Sequence, residues 1–222
     1  LAQQVDATLQ WLQEEPQRAI LTLADAGYPA ALLDAPDPPL VLFAQGDLSK
    51  LQAPAIAIVG SRSPTQQGRE NARAFAAVFS QAGLTVVSGL AQGIDGAAHE
   101  GALKGAGGTI AVVGTGLDIV YPKRHDALAR QIPANGLMLS EFTLGTGPLA
   151  QNFPKRNRII AGLSKGTLVV EAAVQSGSLI TARLAIDMAR EVFAIPGSIH
   201  SPQSRGCHAL IKQGAKLVES VD

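Results

Sequence analysis

From Ala55 onward the chain repeats one pattern: a short apolar, β-branched run, a glycine-rich turn, then a stretch with apolar residues at helical spacing. The runs predict strands over residues 56–59, 84–87, 109–113, 137–139, 167–170, 192–195 and 216–218. The stretches between them predict helices over 67–81, 95–104, 125–131, 157–163, 178–190 and 207–212. Within the strands the apolar residues are continuous instead of alternating, which means burial on both faces. Alternating strands and helices of this kind build an α/β fold with a doubly wound, mostly parallel, Rossmann-like sheet. Ligands of such sheets bind outside the carboxyl ends of the strands, here the loops 60–65, 88–94, 114–123, 140–156, 171–177 and 196–206.

Residues 1–50 read differently. A helix is expected over 5–14, then a proline-rich connection through Tyr28-Pro29 and Asp37-Pro38-Pro39, then an apolar run over 40–44 ending at Gly46-Asp47. The division expected is a small N-terminal extension, 1–50, packed on a main domain, 51–222. At 222 residues the chain buries a substantial core. It opens at Leu1 and is read as processed or truncated. Its apolar runs are shorter than the roughly 18 residues that span a bilayer. Cys207 is the single cysteine, which excludes a disulfide framework and points to a reducing, cytoplasmic setting.

Charge is balanced overall, 18 basic against 18 acidic side chains, so no global field draws the chain to polyanions. Its distribution is uneven. Residues 121–165 carry Lys123, Arg124, Arg130, Lys155, Arg156, Arg158 and Lys165 against Asp126 and Glu141. The run Phe153-Pro154-Lys155-Arg156-Asn157-Arg158 offers an aromatic face for a base, cations for phosphates and an amide for hydrogen bonds. Gly60-Ser61-Arg62-Ser63-Pro64-Thr65 follows the first parallel strand and opens a helix, where an anion cradle belongs. It is not G-x-G-x-x-G, and no acid stands where a ribose-binding carboxylate would, which disfavours a dinucleotide. A second glycine turn, Ser88-Gly89-Leu90-Ala91-Gln92-Gly93-Ile94-Asp95, offers Asp95 as a helix cap. His99 reads as structural. Gly114-Thr115-Gly116 repeats the pattern, followed by Asp118, Tyr121 and Lys123. Glu171 ends a buried strand and serves equally well as a helix cap or a substrate-facing carboxylate. Ser176, Ser178 and Thr181 surround the next helix start. No phosphate-loop, zinc-protease or serine-hydrolase motif is present, so no enzyme activity, metal or cofactor is expected, and Cys207 reads as a packed thiol.

Gly60-Ser61-Arg62, the 88–95 turn, Phe153-Pro154-Lys155-Arg156-Asn157-Arg158-Ile159-Ile160-Ala161-Gly162-Leu163-Ser164, and Gly177-Ser178-Leu179-Ile180-Thr181-Ala182 together resemble the DNA-processing protein A (DprA/Smf) family across roughly residues 20–220. The resemblance implies single-stranded DNA binding in natural transformation, protection of incoming DNA, loading of the RecA recombinase, and a homodimer. It also implies that a sterile-alpha-motif-like domain commonly precedes this region and a winged helix commonly follows it. The binding residues carried over are Arg62, Phe153, Lys155, Arg156, Asn157, Arg158 and Lys123. The turns supply Gly60, Ser61, Ser63, Gly89, Ser176 and Ser178 as further phosphate donors. Four to five neutralised phosphates give an expected salt slope of about −3. The competing reading, a nucleotide phosphoribohydrolase of the cytokinin-activating type, rests on Gly166-Thr167 and Glu171, without the paired glycines before them.

Overall fold

The computed structural model describes residues 2–221. The expected strands are β3 (Ala55–Val59), β4 (Thr85–Ser88), β5 (Thr109–Val112), β6 (Gly136–Ser140), β7 (Gly166–Val169), β8 (Glu191–Ala194) and β9 (Lys216–Leu217). Two more precede them, β1 (Arg18–Thr22) and β2 (Val41–Gly46). Among the described residues all nine form one sheet in the order β1-β2-β6-β5-β4-β3-β7-β8-β9. The seven strands from β3 onward are parallel, while β2 pairs antiparallel with β6 and β1 antiparallel with β2. The first fifty residues therefore extend the same sheet.

The helices are α1 (Ala2–Glu14), α2 (Ala30–Leu33), α3 (Gln66–Gln81), α4 (Ile94–Ala102), α5 (Asp126–Gln131), α6 (Asn152–Leu163), α7 (Ser178–Asp187) and α8 (Arg205–Lys212). Alternation along the strands sorts them into two layers. Ala57, Val59, Val87, Ile110, Val112 and Val169 turn to one face, with Leu32 of α2, Ile159 and Ile160 of α6, Leu179 of α7 and Leu210 of α8. Ile58, Val86 and Leu168 turn to the other, against Ala72 and Phe75 of α3 and Ile94 and Ala98 of α4. Ala111 and Met138 continue that face against Leu128 and Ala129 of α5. Prolines keep the N-terminal elements short, and burial pins them: Trp11 meets Phe43 edge-on at 6.2 Å, and the buried Tyr28 hydroxyl donates to the Pro39 carbonyl at 2.8 Å.

One expectation needs correcting. The sequence pattern places the aromatic–cationic run mostly in a loop, with a helix from 157; α6 already begins at Asn152. Pro154 does not prevent this, because it lies in the first turn, where its missing N–H would have no partner.

The sheet has its switch point at β3. Strands β4, β5 and β6 run outward on one side, and β7, β8 and β9 on the other. The loops leaving β3 and β7 thus part to either side and open a crevice between them.

Candidate nucleic-acid interface

That crevice is a cavity of about 720 Å³. Its walls are Val59–Ser63 after β3, Phe153, Arg156 and Asn157 of α6, and Ser176–Ser178 at the start of α7. A second cavity, about 110 Å³, lies among Arg62, Gly89, Thr115, Tyr121, Phe153 and Arg156. Arg62 and Arg156, far apart in sequence, line both. Their guanidinium carbons lie 5.6 and 5.9 Å from the Phe153 ring centroid. Tyr121, half-exposed, tilts 42° onto the same ring at 5.7 Å.

The helical geometry of α6 decides which residues of the basic run reach the cavity. Successive residues turn by about 100°, so only positions three and four apart share a face. Phe153, Arg156 and Asn157 form such a set and line the large cavity, together with Pro154. Lys155 is exposed and Arg158 partly buried, and neither lines either cavity. Arg158 donates to Glu141 at 2.5 Å and to Asp37 at 3.1 Å, which ties the proline-rich segment to α6. Lys123, on the exposed turn Lys123–His125, lines neither cavity.

Arg156 is a buried cation, only 3% exposed. Its Nη1 donates to the Val112 carbonyl at 2.5 Å and to the Gly89 carbonyl, bracing the end of β5 against the turn after β4. A Cβ at position 89 would overlap this guanidinium and stand 2.7 Å from Asp95 Oδ2, so the turn needs glycine there. Asp95 lies beside it, buried, in the first turn of α4. Its carboxylate reaches back to accept from Gly89 N–H at 3.1 Å and Ala91 N–H at 3.3 Å, while the N-cap position is Gly93. Burial pushes Asp95 upward, against the pull of Arg156. Burial also lowers Arg156 to about 10, with Asp95 opposing, so it stays charged at neutral pH.

Leu90, at φ +57°, occupies the left-handed region that side chains avoid. Two imidazoles hold it. His99 Nε2 accepts from Leu90 N–H at 3.2 Å, and His125 Nδ1 donates to the Leu90 carbonyl at 2.9 Å. His99 is fully buried, and burial first, then His125 and Arg156, pushes it down to about 3. With Nε2 accepting, its Nδ1–H donates to Thr109 Oγ1 at 2.7 Å, which donates to the Val86 carbonyl. This histidine is a neutral strut.

The Gly60 turn is fixed by its neighbours. Ser61 N–H donates to the Glu171 carbonyl at 2.7 Å, joining the β3 and β7 loops across the crevice. A Cβ on Gly60 would lie 2.7 Å from Ile94 Cγ1, so the glycine here answers to packing. Ser61 is buried, its hydroxyl accepting from Ser63 N–H, while Arg62 and Ser63 are exposed. Across the cavity Ser176 Oγ and Ser178 Oγ lie 2.7 Å apart at the start of α7. Glu171 is a cap: its carboxylate accepts from Thr65 N–H at 2.9 Å and Thr65 Oγ1 at 2.5 Å at the head of α3. It is absent from both cavity walls, which leaves the phosphoribohydrolase reading without its carboxylate. Cys207 is buried, and burial raises its thiol to about 11. The sequence pattern does not single out Tyr121 as a site residue; its signal there is an aromatic two residues before Lys123, after a third glycine turn.

The family model for DNA recombination-mediator protein A matches residues 19–222. The chain belongs to that family. Protein Smf of Escherichia coli is 49% identical over 215 residues, 96% of this chain and 57% of its own length. Protein Smf of Synechocystis is 46% identical over 95% of this chain and 54% of its own length, so the chain spans little more than half of these relatives. The crystal structure of DNA processing protein A from Streptococcus pneumoniae superposes with a TM-score of 0.88 at 46% identity, covering 97% of this chain and 75% of that one. DNA processing protein A of Helicobacter pylori, solved for its single-stranded DNA binding mode, superposes at 0.82 with 32% identity, covering 91% of this chain and 92% of that one. Among the described residues no helix is long and apolar enough to cross a membrane.

Proposed function

We propose that this chain binds single-stranded DNA across the crevice between the β3 and β7 loops. The carrying observation is the convergence of Arg62, Arg156 and Phe153 on one cavity. Arg62 is exposed and forms no ion pair among the described residues, so it is free to meet a phosphate. Buried Arg156 adds fixed positive charge behind it. Ser63 and the Ser176–Ser178 turn supply neutral donors, and Asn157 an amide. Phe153 offers a stacking face once Arg62 turns toward a phosphate. Two cations on the cavity walls give a salt slope of about −1.4 for a strand confined there. Lys155 and Lys123 steepen it toward −3 only when a longer strand runs over the rim.

Membership of the recombination-mediator family supports the wider role: protecting incoming strands in natural transformation, loading the RecA recombinase, and acting as a cytoplasmic homodimer without catalytic chemistry. The test is fluorescence anisotropy with single-stranded and duplex oligonucleotides, using wild type and Arg62→Glu. Wild type is expected to prefer the single strand and Arg62→Glu to lose it while melting normally. Equal affinity for duplex, or an unaffected variant, refutes the reading.

A further inference from the structure

Arg62 meets the crevice from an exposed turn, so the residues that hold the turn decide where its guanidinium stands. One residue holds both ends. The Glu171 carbonyl accepts from Ser61 N–H at 2.7 Å, just before Arg62. The Glu171 carboxylate accepts from Thr65 N–H at 2.9 Å and from Thr65 Oγ1 at 2.5 Å, three residues after it. Glycine at position 68 leaves room for that carboxylate: a Cβ there, in the first turn of α3, would stand 2.5 Å from Glu171 Cδ. Between the two ends, Gln203 Nε2 donates to the Ser63 carbonyl at 3.0 Å, and the Gln203 carbonyl accepts from Ala172 N–H at 2.8 Å. Residues 61–65, 171–172 and 203 thus close a ring of hydrogen bonds around the base of Arg62. Glu171 itself lines neither cavity, so it does not touch a strand lying there.

We propose that Glu171 is a positioning residue for single-strand binding: it clamps both ends of the 61–65 turn and thereby presents Arg62 to a phosphate. The proposal rests on the single-strand reading above and names a residue that serves it without contacting the strand. A turn held at both ends is ordered before the strand arrives. A loose turn must be ordered on binding, and affinity falls by that cost. The charge of Glu171 acts the other way, because a carboxylate near a phosphate repels it. Glu171→Gln keeps the shape and the main-chain carbonyl but offers one acceptor oxygen in place of two, so Thr65 loses one of its two bonds. Neutralising the residue therefore tightens binding if charge alone matters and weakens it if the clamp matters.

The experiment measures oligothymidine binding by anisotropy at several salt concentrations for Glu171→Gln, Thr65→Val and Thr65→Ser, each also in an Arg62→Ala background. Thermal melts fix the folded fraction of every variant. Glu171→Gln and Thr65→Val are expected to bind about tenfold more weakly per folded molecule, a difference of about 1.4 kcal/mol. Their salt slope is expected to be shallower by about 0.7, the share of one phosphate. Thr65→Ser keeps the hydroxyl and is expected to bind as wild type does. With Arg62 already removed, neither Glu171→Gln nor Thr65→Val is expected to weaken binding further. Unchanged or tighter binding by either variant overturns the assignment while the wild-type chain still binds. A tenfold loss that persists without Arg62 overturns it too, because the clamp would then act elsewhere in the crevice. Failure of the wild type to bind overturns the single-strand reading itself.

Discussion

Replacing Arg158 with Gln separates a strut from a DNA contact within the same basic run. Arg158 meets Glu141 at 2.5 Å, with side-chain exposures of only 16% and 13%. Removing the cation leaves a largely buried carboxylate uncompensated, which costs about 3 kcal/mol. The Asp37 pair, with that carboxylate 80% exposed, adds less than about 1 kcal/mol. At roughly 2–4 °C per kcal/mol for a chain of this size, Tm is expected to fall by about 9 °C. The salt slope for oligothymidine should not change, because the Arg158 side chain turns away from both cavities. Arg62→Gln should do the reverse: Tm held, and a slope shallower by about 0.7. Thermal melts and anisotropy titrations at several salt concentrations check both. An Arg158→Gln protein that melts like wild type and loses about 0.7 of slope would refute the assignment made from the geometry of α6.

Phe153→Ala should weaken single-strand binding by about 1–3 kcal/mol if a base stacks on the ring, read as a change in Kd for molecules shown to be folded. Gly89→Ala inserts a methyl into the Arg156 guanidinium and Asp95 carboxylate and should destabilise by about 3 kcal/mol in urea unfolding; a neutral effect would mean the network relaxes freely. His99 carries a pH signature. It is held at about 3 while an unfolded histidine sits near 6.5, so below about pH 6.5 the unfolded chain binds the extra proton. The stability is present in full above that value and is lost as pH falls toward 3. Between pH 6.5 and 5 the loss from this group is about 2 kcal/mol, and His99→Gln should remove that part of the pH dependence.

The strands β3 to β7 were legible because each is a fully or largely buried apolar run between glycine turns; β8 is half-buried and β9 exposed, and they were legible as short apolar runs. The pair β1 and β2 was not. Arg18-Ala19-Ile20-Leu21-Thr22 becomes a strand only because β2 offers an edge, and β2 in turn rests on β6 and is covered by Trp11. Such pairing is tertiary and leaves little local trace. At the site, Arg62 and Phe153 were legible from residue type and loop position. The roles within Lys155-Arg156-Asn157-Arg158 were not, because the pattern places 140–156 in a loop and starts the helix only at 157. Once the run is helical, one cation faces solvent, one is buried under the β4 turn and one is held by carboxylates. The burial of Arg156 depended on Gly89 and Asp95, a spatial neighbourhood that no spacing in the sequence announced.

The central claim is best tested by a crystal structure of this chain with a short oligothymidine. The account requires a phosphate on Arg62 and a base against Phe153, with the strand crossing between the Gly60 turn and the start of α7. A strand lying instead along the Lys155 face of α6, with the crevice between the β3 and β7 loops empty, would contradict it.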